Sequence, residues 1–354
     1  EIEHPPVECV FTTEEEVGLN GAKALDKSVL KARTMINMDS EDEGVATVSC
    51  AGGLRVQFTK EIQRTTVQGS LLTLKVEGLL GGHSGQDIDK ERQNADLLMA
   101  RMIQRLLKET KGQLVSFNGG TKDNAIPREC EASLIYESDE EAAKAEELAC
   151  ELAETYAEEL TPAEPDFSCE ISCETNRTAE AIPQDAAKEF ICAMRLAPNG
   201  IQKRNIKMDG FVVVSLNLGV VRTEEDRIVM IFSPRSSVAS LQEDTKERLN
   251  TLAETFGFTV SHSSEYPGWS FKEDSPVREI CKESYKELFG EDLKIEAIHA
   301  GLECGLFSDA IKGLDAIAIG PTIANCHTPD EYLTLDSFER FYEFLKDILS
   351  RLAK

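Results

Sequence analysis

Two kinds of apolar pattern alternate along this sequence, and together they limit the folds open to it. Leu314 to Ile319 is nearly continuous apolar chain, the pattern of a strand buried on both faces in a parallel sheet. Leu71 to Glu77 reads differently. Leu72, Leu74 and Val76 alternate with Thr73, Lys75 and Glu77, so one face of that strand is predicted to meet water. The first pattern belongs to the two ends of the chain and the second to its middle.

At the N-terminal end, Val7 to Thr12 is predicted as a strand, Lys27 to Lys31 as a helical run, and Thr34 to Met38 as a second strand, with Val45 to Ser49 a further one. The middle opens with strands at Leu54 to Phe58 and Leu71 to Val76. A glycine-rich turn, Gly78 to Gly85, and an amphipathic helix, Asn94 to Lys108, follow. Further helices are predicted at Asp139 to Glu159, Ala186 to Leu196 and Gln242 to Phe256, with Phe211 to Leu218 pairing with Ile228 to Phe232. After Tyr266-Pro267-Gly268-Trp269 the first pattern returns. It runs through a helix at Pro276 to Phe289, a strand at Leu293 to Ile298, a short helix from Gly305 and a C-terminal helix at Leu333 to Leu352. The predicted architecture is an α/β domain built from residues 1–53 and 263–354. It is a mixed sheet with helices on both faces, interrupted by an α+β domain, 54–262, of two β-α-β halves.

A chain of 354 residues can bury two cores of this kind. Its net charge of −26 argues against nucleic acid and anionic membrane as partners. No apolar run approaches the roughly twenty residues of a membrane helix, and no targeting signal is present. The chain opens on a glutamate in mid-pattern, which predicts an upstream portion. Ten cysteines without close metal-type pairs are read as reduced, small core residues of a cytoplasmic protein.

Acidic residues gather where the first pattern's strands end. Glu14-Glu15-Glu16 follows the first predicted strand, and Asp39-Ser40-Glu41 follows the second. Open α/β sheets place their sites at strand ends. Far along the chain, His327-Thr328-Pro329-Asp330-Glu331 supplies an imidazole. Carboxylates with a histidine suit zinc, manganese or cobalt. The plain alternative is that the acidic triplet is a solvated turn in a very acidic protein. His4 and His262 carry no motif and read as structural or exposed, while His299 reads equally as pocket lining or packing.

Several segments in order carry a family likeness. They are Thr13-Glu14-Glu15-Glu16-Val17-Gly18, Asn37-Met38-Asp39-Ser40-Glu41, the Gly78 to Gly85 turn, and Asn118-Gly119-Gly120-Thr121 with Asn124-Ala125-Ile126-Pro127-Arg128. His299-Ala300-Gly301-Leu302-Glu303-Cys304-Gly305-Leu306 and Gly320-Pro321-Thr322 complete the set together with the His327 motif. The chain resembles, essentially end to end, the aminoacyl-histidine dipeptidase branch of the co-catalytic di-zinc exopeptidases.

The resemblance implies a metal-dependent dipeptidase that prefers Xaa-His and β-alanyl-histidine substrates, with two zinc ions replaceable by manganese or cobalt. Glu15 resembles the general base. Glu16, Asp39 and His327 resemble metal ligands, and His83 a lid-domain histidine that polarises the substrate carbonyl. Asn124, Arg235 and Glu303 match substrate-contacting positions, the first two toward the carboxylate end and the last toward the amino group. The middle domain would then be a lid and dimerisation domain of a homodimer.

Two ligand-bearing family segments, a His-x-Asp and a Gly-Ala-Asp-Asn-like stretch, have no counterpart here, and the second carries the aspartate that bridges both metals. The expectation is a family member lacking the first part of its catalytic domain. Two other readings remain: a clan relative that hydrolyses N-acyl amino acids, and an inactive fragment without the bridging aspartate.

Overall fold

The structure, a computed structural model, describes residues 2–15, 18–206, 210–326 and 328–353. Two compact units share the chain. The first comprises residues 1–53, 236–239 and 266–354, and the second 54–235 and 240–265.

The first unit begins with helix α1 (Asn20–Ala24), strand β1 (Thr34–Asn37) and strand β2 (Val45–Cys50). Two expectations fail before β1. Residues 2–12 carry no regular secondary structure, and the helical run after Lys27 is a single 3-10 turn, Lys27–Val29. The physical reason is the missing ladder. No described strand pairs with Val7 to Phe11, and Phe11 stays 91% exposed, so apolar residues alone do not make a strand.

The chain crosses into the second unit along β3 (Gly52–Glu61) and continues through β4 (Thr65–Glu77), β5 (Gly82–His83), α2 (Ala95–Glu109), β6 (Gln113–Gly119), β7 (Ala125–Ile126) and β8 (Cys130–Tyr136). It goes on through α3 (Asp139–Leu160), β9 (Ser168–Ala181), α4 (Gln184–Leu196), β10 (Gly200–Asn205), β11 (Phe211–Thr223), β12 (Arg227–Ser236), α5 (Ala239–Thr255) and β13 (Thr259–Tyr266). Among the described residues nine of these strands form a sheet ordered β13-β3-β12-β11-β6-β8-β4-β9, with β10 beside β11, while β5 and β7 pair separately. The order contains two interleaved β-α-β-β-α-β patterns, because β4, β6, β8 and β9 with α2 and α3 are inserted between β3 and α4.

Its core follows from the alternation in β4. Leu72, Leu74 and Val76 are fully buried, whereas Thr73, Lys75 and Glu77 stay partly open. Leu98, Met99, Met102, Ile103 and Leu106 of α2 join the same cluster, each burial stabilising by about 1.5–3 kcal/mol.

The chain then returns to the first unit through α6 (Pro276–Phe289), β14 (Lys294–Ile298), α7 (Glu303–Ala310), β15 (Asp315–Ala318), β16 (Ile323–Ala324), β17 (Tyr332–Leu333) and α8 (Leu335–Leu352). The described sheet here has four strands ordered β1-β15-β2-β14. β1 runs parallel to β15 and β14 parallel to β2, but β15 and β2 are antiparallel, so the sheet is mixed. All four residues of β15 are buried. Trp269 packs into this unit's core with Cys50, Cys304 and Phe307, and its backbone exchanges both hydrogen bonds with Cys50.

All ten cysteines are free thiols. Cys50, Cys130, Cys281 and Cys304 are buried, as small core residues should be, but Cys9 and Cys150 are exposed. Cys150 reaches the surface because it lies on the outer side of α3, whose inner positions are taken by Ala142, Ala145, Ala149 and Tyr156.

Candidate active site

In the first unit the parallel pair β1 and β15 ends in two loops that touch. Asn37 closes β1, and its side-chain oxygen accepts the Asp39 N–H at 3.2 Å, turning the chain so that Asp39 is exposed beyond the strand end. The loop after β15 packs against the next residues: the Ile323 N–H donates to the Glu41 carbonyl at 2.9 Å. The Cys326 thiol is pushed up to about 11 by burial and by the Glu41 carboxylate beside it. Residues flanking position 327 are therefore held against the Asp39-Ser40-Glu41 loop. His327 itself lies outside the described residues, as does Glu16.

The Glu15 segment is a tight loop ahead of α1. The Glu15 carbonyl accepts the Gly18 and Leu19 N–H groups at 3.0 and 2.8 Å, and the Gly21 N–H returns to Thr13 at 2.9 Å. Glu14 and Leu19 are both left-handed, with φ of 56° and 61°, a conformation costing non-glycine residues about 1–3 kcal/mol and concentrated at functional sites. Glu15 is half-buried. Thr12 donates its hydroxyl to Glu303 Oε1 at 2.8 Å, tying this segment to the start of α7. α7 packs against β15, the strand that follows it. The Asp39 and Glu303 carboxylates both act on the buried Cys304 thiol. Burial is the main cause that holds this thiol well above its usual range. His299 is buried just beyond β14.

In the second unit His83, Asn124 and Arg235 come together. β5 pairs with β7 so that His83 faces Ala125, and the Ser84 N–H donates to the Asn124 carbonyl at 2.9 Å, which sets Asn124 beside the histidine. Arg235, near the end of β12, is buried, and its charge acts on the same ring. Burial first, and the Arg235 cation second, hold the His83 imidazole below its ordinary value, with Asp87 opposing them. Both effects favour the neutral ring. Its Nδ1 accepts backbone N–H groups from Gln86 at 3.0 Å and Gly85 at 3.3 Å. Asp87, which bonds the His83 backbone, was not singled out from the sequence. Its position in the Gly78 to Lys90 stretch is the one local signal that could have marked it.

A pair of zinc ions is what the family likeness implies. Among the described residues no group of three or more histidine, cysteine, aspartate or glutamate side chains could hold a metal ion. Asp39 is the one described member of the predicted ligand set, and a catalytic zinc takes about three protein ligands. The described donors do not by themselves make up a metal centre.

The profile of peptidase family M20/M25/M40 matches residues 2–351. The chain belongs to this family. Among individual relatives, the cytosol non-specific dipeptidase of Escherichia coli (strain K12) is 33% identical over 355 residues, spanning 99% of this chain and 72% of that protein. The crystal structure of an aminoacylhistidine dipeptidase from Vibrio alginolyticus superposes with a TM-score of 0.94 at 34% identity, again over 99% of this chain and 72% of the other. Membership makes this M20 chain a peptidase by descent, with the mixed α/β sheet and flanking helices of the family. No described helix is long and apolar enough to cross a membrane.

Proposed function

We propose that this chain hydrolyses dipeptides in a metal-dependent reaction, with Xaa-His and β-alanyl-histidine as its preferred substrates. The observation that carries this reading is the likeness, over nearly the whole chain, to an enzyme described as an aminoacylhistidine dipeptidase. In this reading the first unit is the catalytic domain and the second the lid and dimerisation domain of a cytoplasmic homodimer. The cytoplasmic assignment follows the E. coli relative, whose name places it in the cytosol.

Glu15 is our candidate for the general base. It takes a proton from the attacking water and returns it to the departing nitrogen. Glu16, Asp39 and His327 are assigned to metal contact, with zinc ahead of manganese and cobalt. When bound, such ions polarise a carbonyl and lower the pKa of water. His83 donates a hydrogen bond to the carbonyl oxygen as it gains charge. Asn124 and Arg235 hold the substrate carboxylate, for which a guanidinium fork is well shaped, and Glu303 meets the free amino group.

The deciding experiment assays the purified protein on β-alanyl-histidine, other dipeptides, and N-acetyl and N-succinyl amino acids, with metal content measured alongside. Histidine release that stops on chelation and returns with zinc supports the proposal. Release of acetate or succinate instead would move the substrate class to N-acyl amino acids. Absence of both turnover and metal uptake would sink it.

A further inference from the structure

The turn that carries His83 is clasped by a carboxylate four residues on. Asp87 Oδ2 accepts the His83 backbone N–H at 2.8 Å, and the Asp87 N–H donates to the His83 carbonyl at 3.0 Å. Lys90 Nζ holds the other oxygen, Oδ1, at 2.6 Å, and Arg92 Nη1 stands 4.0 Å from Oδ2 while also donating to the Gly81 carbonyl. Gly82 leaves the room this needs. A Cβ there would come within 2.6 Å of both Asp87 Oδ2 and Arg92 Nη1, and its φ of 137° suits glycine.

Within the clasp the imidazole has little choice of proton position. Nδ1 already accepts two backbone N–H groups, from Gln86 and Gly85, and a ring nitrogen that accepts carries no hydrogen. The neutral ring must hold its proton on Nε2. A cationic ring would point an N–H at two N–H donors and would have to leave the turn.

We propose that Asp87 is a positioning residue for His83, fixing the turn so that the imidazole stays in the Nε2–H tautomer and offers the site a hydrogen-bond donor and no base. This deepens the function proposed above and rests on the role given there to His83. The chemistry it implies is selective: His83 can meet an oxygen gaining negative charge but cannot accept the proton of the attacking water.

The test labels the ring nitrogens of histidine in the full chain for NMR, with five imidazoles to follow and His83→Gln to identify the one of interest. The wild type is expected to show a proton-bearing Nε2 and a bare Nδ1. In Asp87→Ala the two tautomers should mix, and kcat on a dipeptide should fall about tenfold with KM nearly unchanged, since the donor acts on charge that develops in the transition state. Asp87→Asn keeps an acceptor for the His83 N–H and should restore the tautomer and most of the turnover. A wild-type ring protonated on Nδ1, or an Asp87→Ala protein that keeps the wild-type ring signature, overturns the proposal. The spectra do not depend on turnover. A protein that cleaves no dipeptide yet loses its tautomer in Asp87→Ala supports the role of Asp87 while removing the dipeptidase reading.

Discussion

The carbonyl oxygen of Ser40 fills the space in which a side chain on Gly320 would begin, 1.8 Å from the position of its Cβ. The loops that follow β1 and β15 therefore meet backbone to backbone, and the hydrogen bond from Ile323 to Glu41 lies in the same contact. Gly320→Ala must drive these loops apart. We expect a loss of about 1–3 kcal/mol of stability, seen as a lower denaturant midpoint with an unchanged slope. A variant as stable as the wild type would mean that the two loops are not in contact.

Asp96 makes a different kind of prediction. It lies in the first turn of α2 with no exposed surface, and burial pushes its carboxyl up to about 8, although the Cys130 thiol and the Arg222 guanidinium pull the other way. The unfolded chain releases that proton near 3.8. A raised folded pKa means that the contribution is complete below 3.8 and is lost as the pH climbs to about 8, at about 1.4 kcal/mol per unit. Asp96→Asn should flatten this dependence and melt at a higher temperature than the wild type at the alkaline end. Parallel melting curves for the two proteins across that window would refute it.

Arg235 can be tested through His83. Burial and the Arg235 cation both depress the ring, so Arg235→Met should raise its pKa while leaving the burial effect in place. An NMR titration of His83 reads this directly, and the acid limb of kcat/KM should move to higher pH with it. If the guanidinium also holds the substrate carboxylate, KM should rise by about tenfold or more, the scale of a lost charge-assisted hydrogen bond. An unmoved titration would separate the two residues.

Glu15→Gln keeps the shape of the side chain and removes its basicity. We expect turnover to fall by about a hundredfold or more while metal content is nearly unchanged. Near-normal turnover would take the proton-transfer role away from Glu15.

Local chemistry made parts of this molecule readable in advance. Ser275 caps α6, Pro276 takes its first position and Gly290 closes it at φ 76°, so both ends of that helix were written in neighbouring residues. The alternation of Leu72, Leu74 and Val76 in β4 likewise needed no distant partner to be recognised. β9 was harder. Its apolar signal covers only Phe167 to Ile171, but the strand runs from Ser168 to Ala181, because pairing along nearly the whole of β4 carries the ladder through Glu174 and Arg177, which have little β preference of their own. The segment before α1 failed the opposite way, with β-like residues and no ladder to join.

By itself the sequence determined where carboxylates and imidazoles fall along the chain and which two kinds of sheet alternate, since residue type and apolar period are local properties. It could name His83, Asp39 and Glu303 from their motifs. Only the tertiary structure decided that Asn124 and Arg235 stand beside His83, that Thr12 ties the Glu15 loop to Glu303, and that Asp87 closes the His83 turn. Those relations depend on hydrogen bonds and burial between residues as far apart as Thr12 and Glu303, and such distances along a chain carry no periodicity to read.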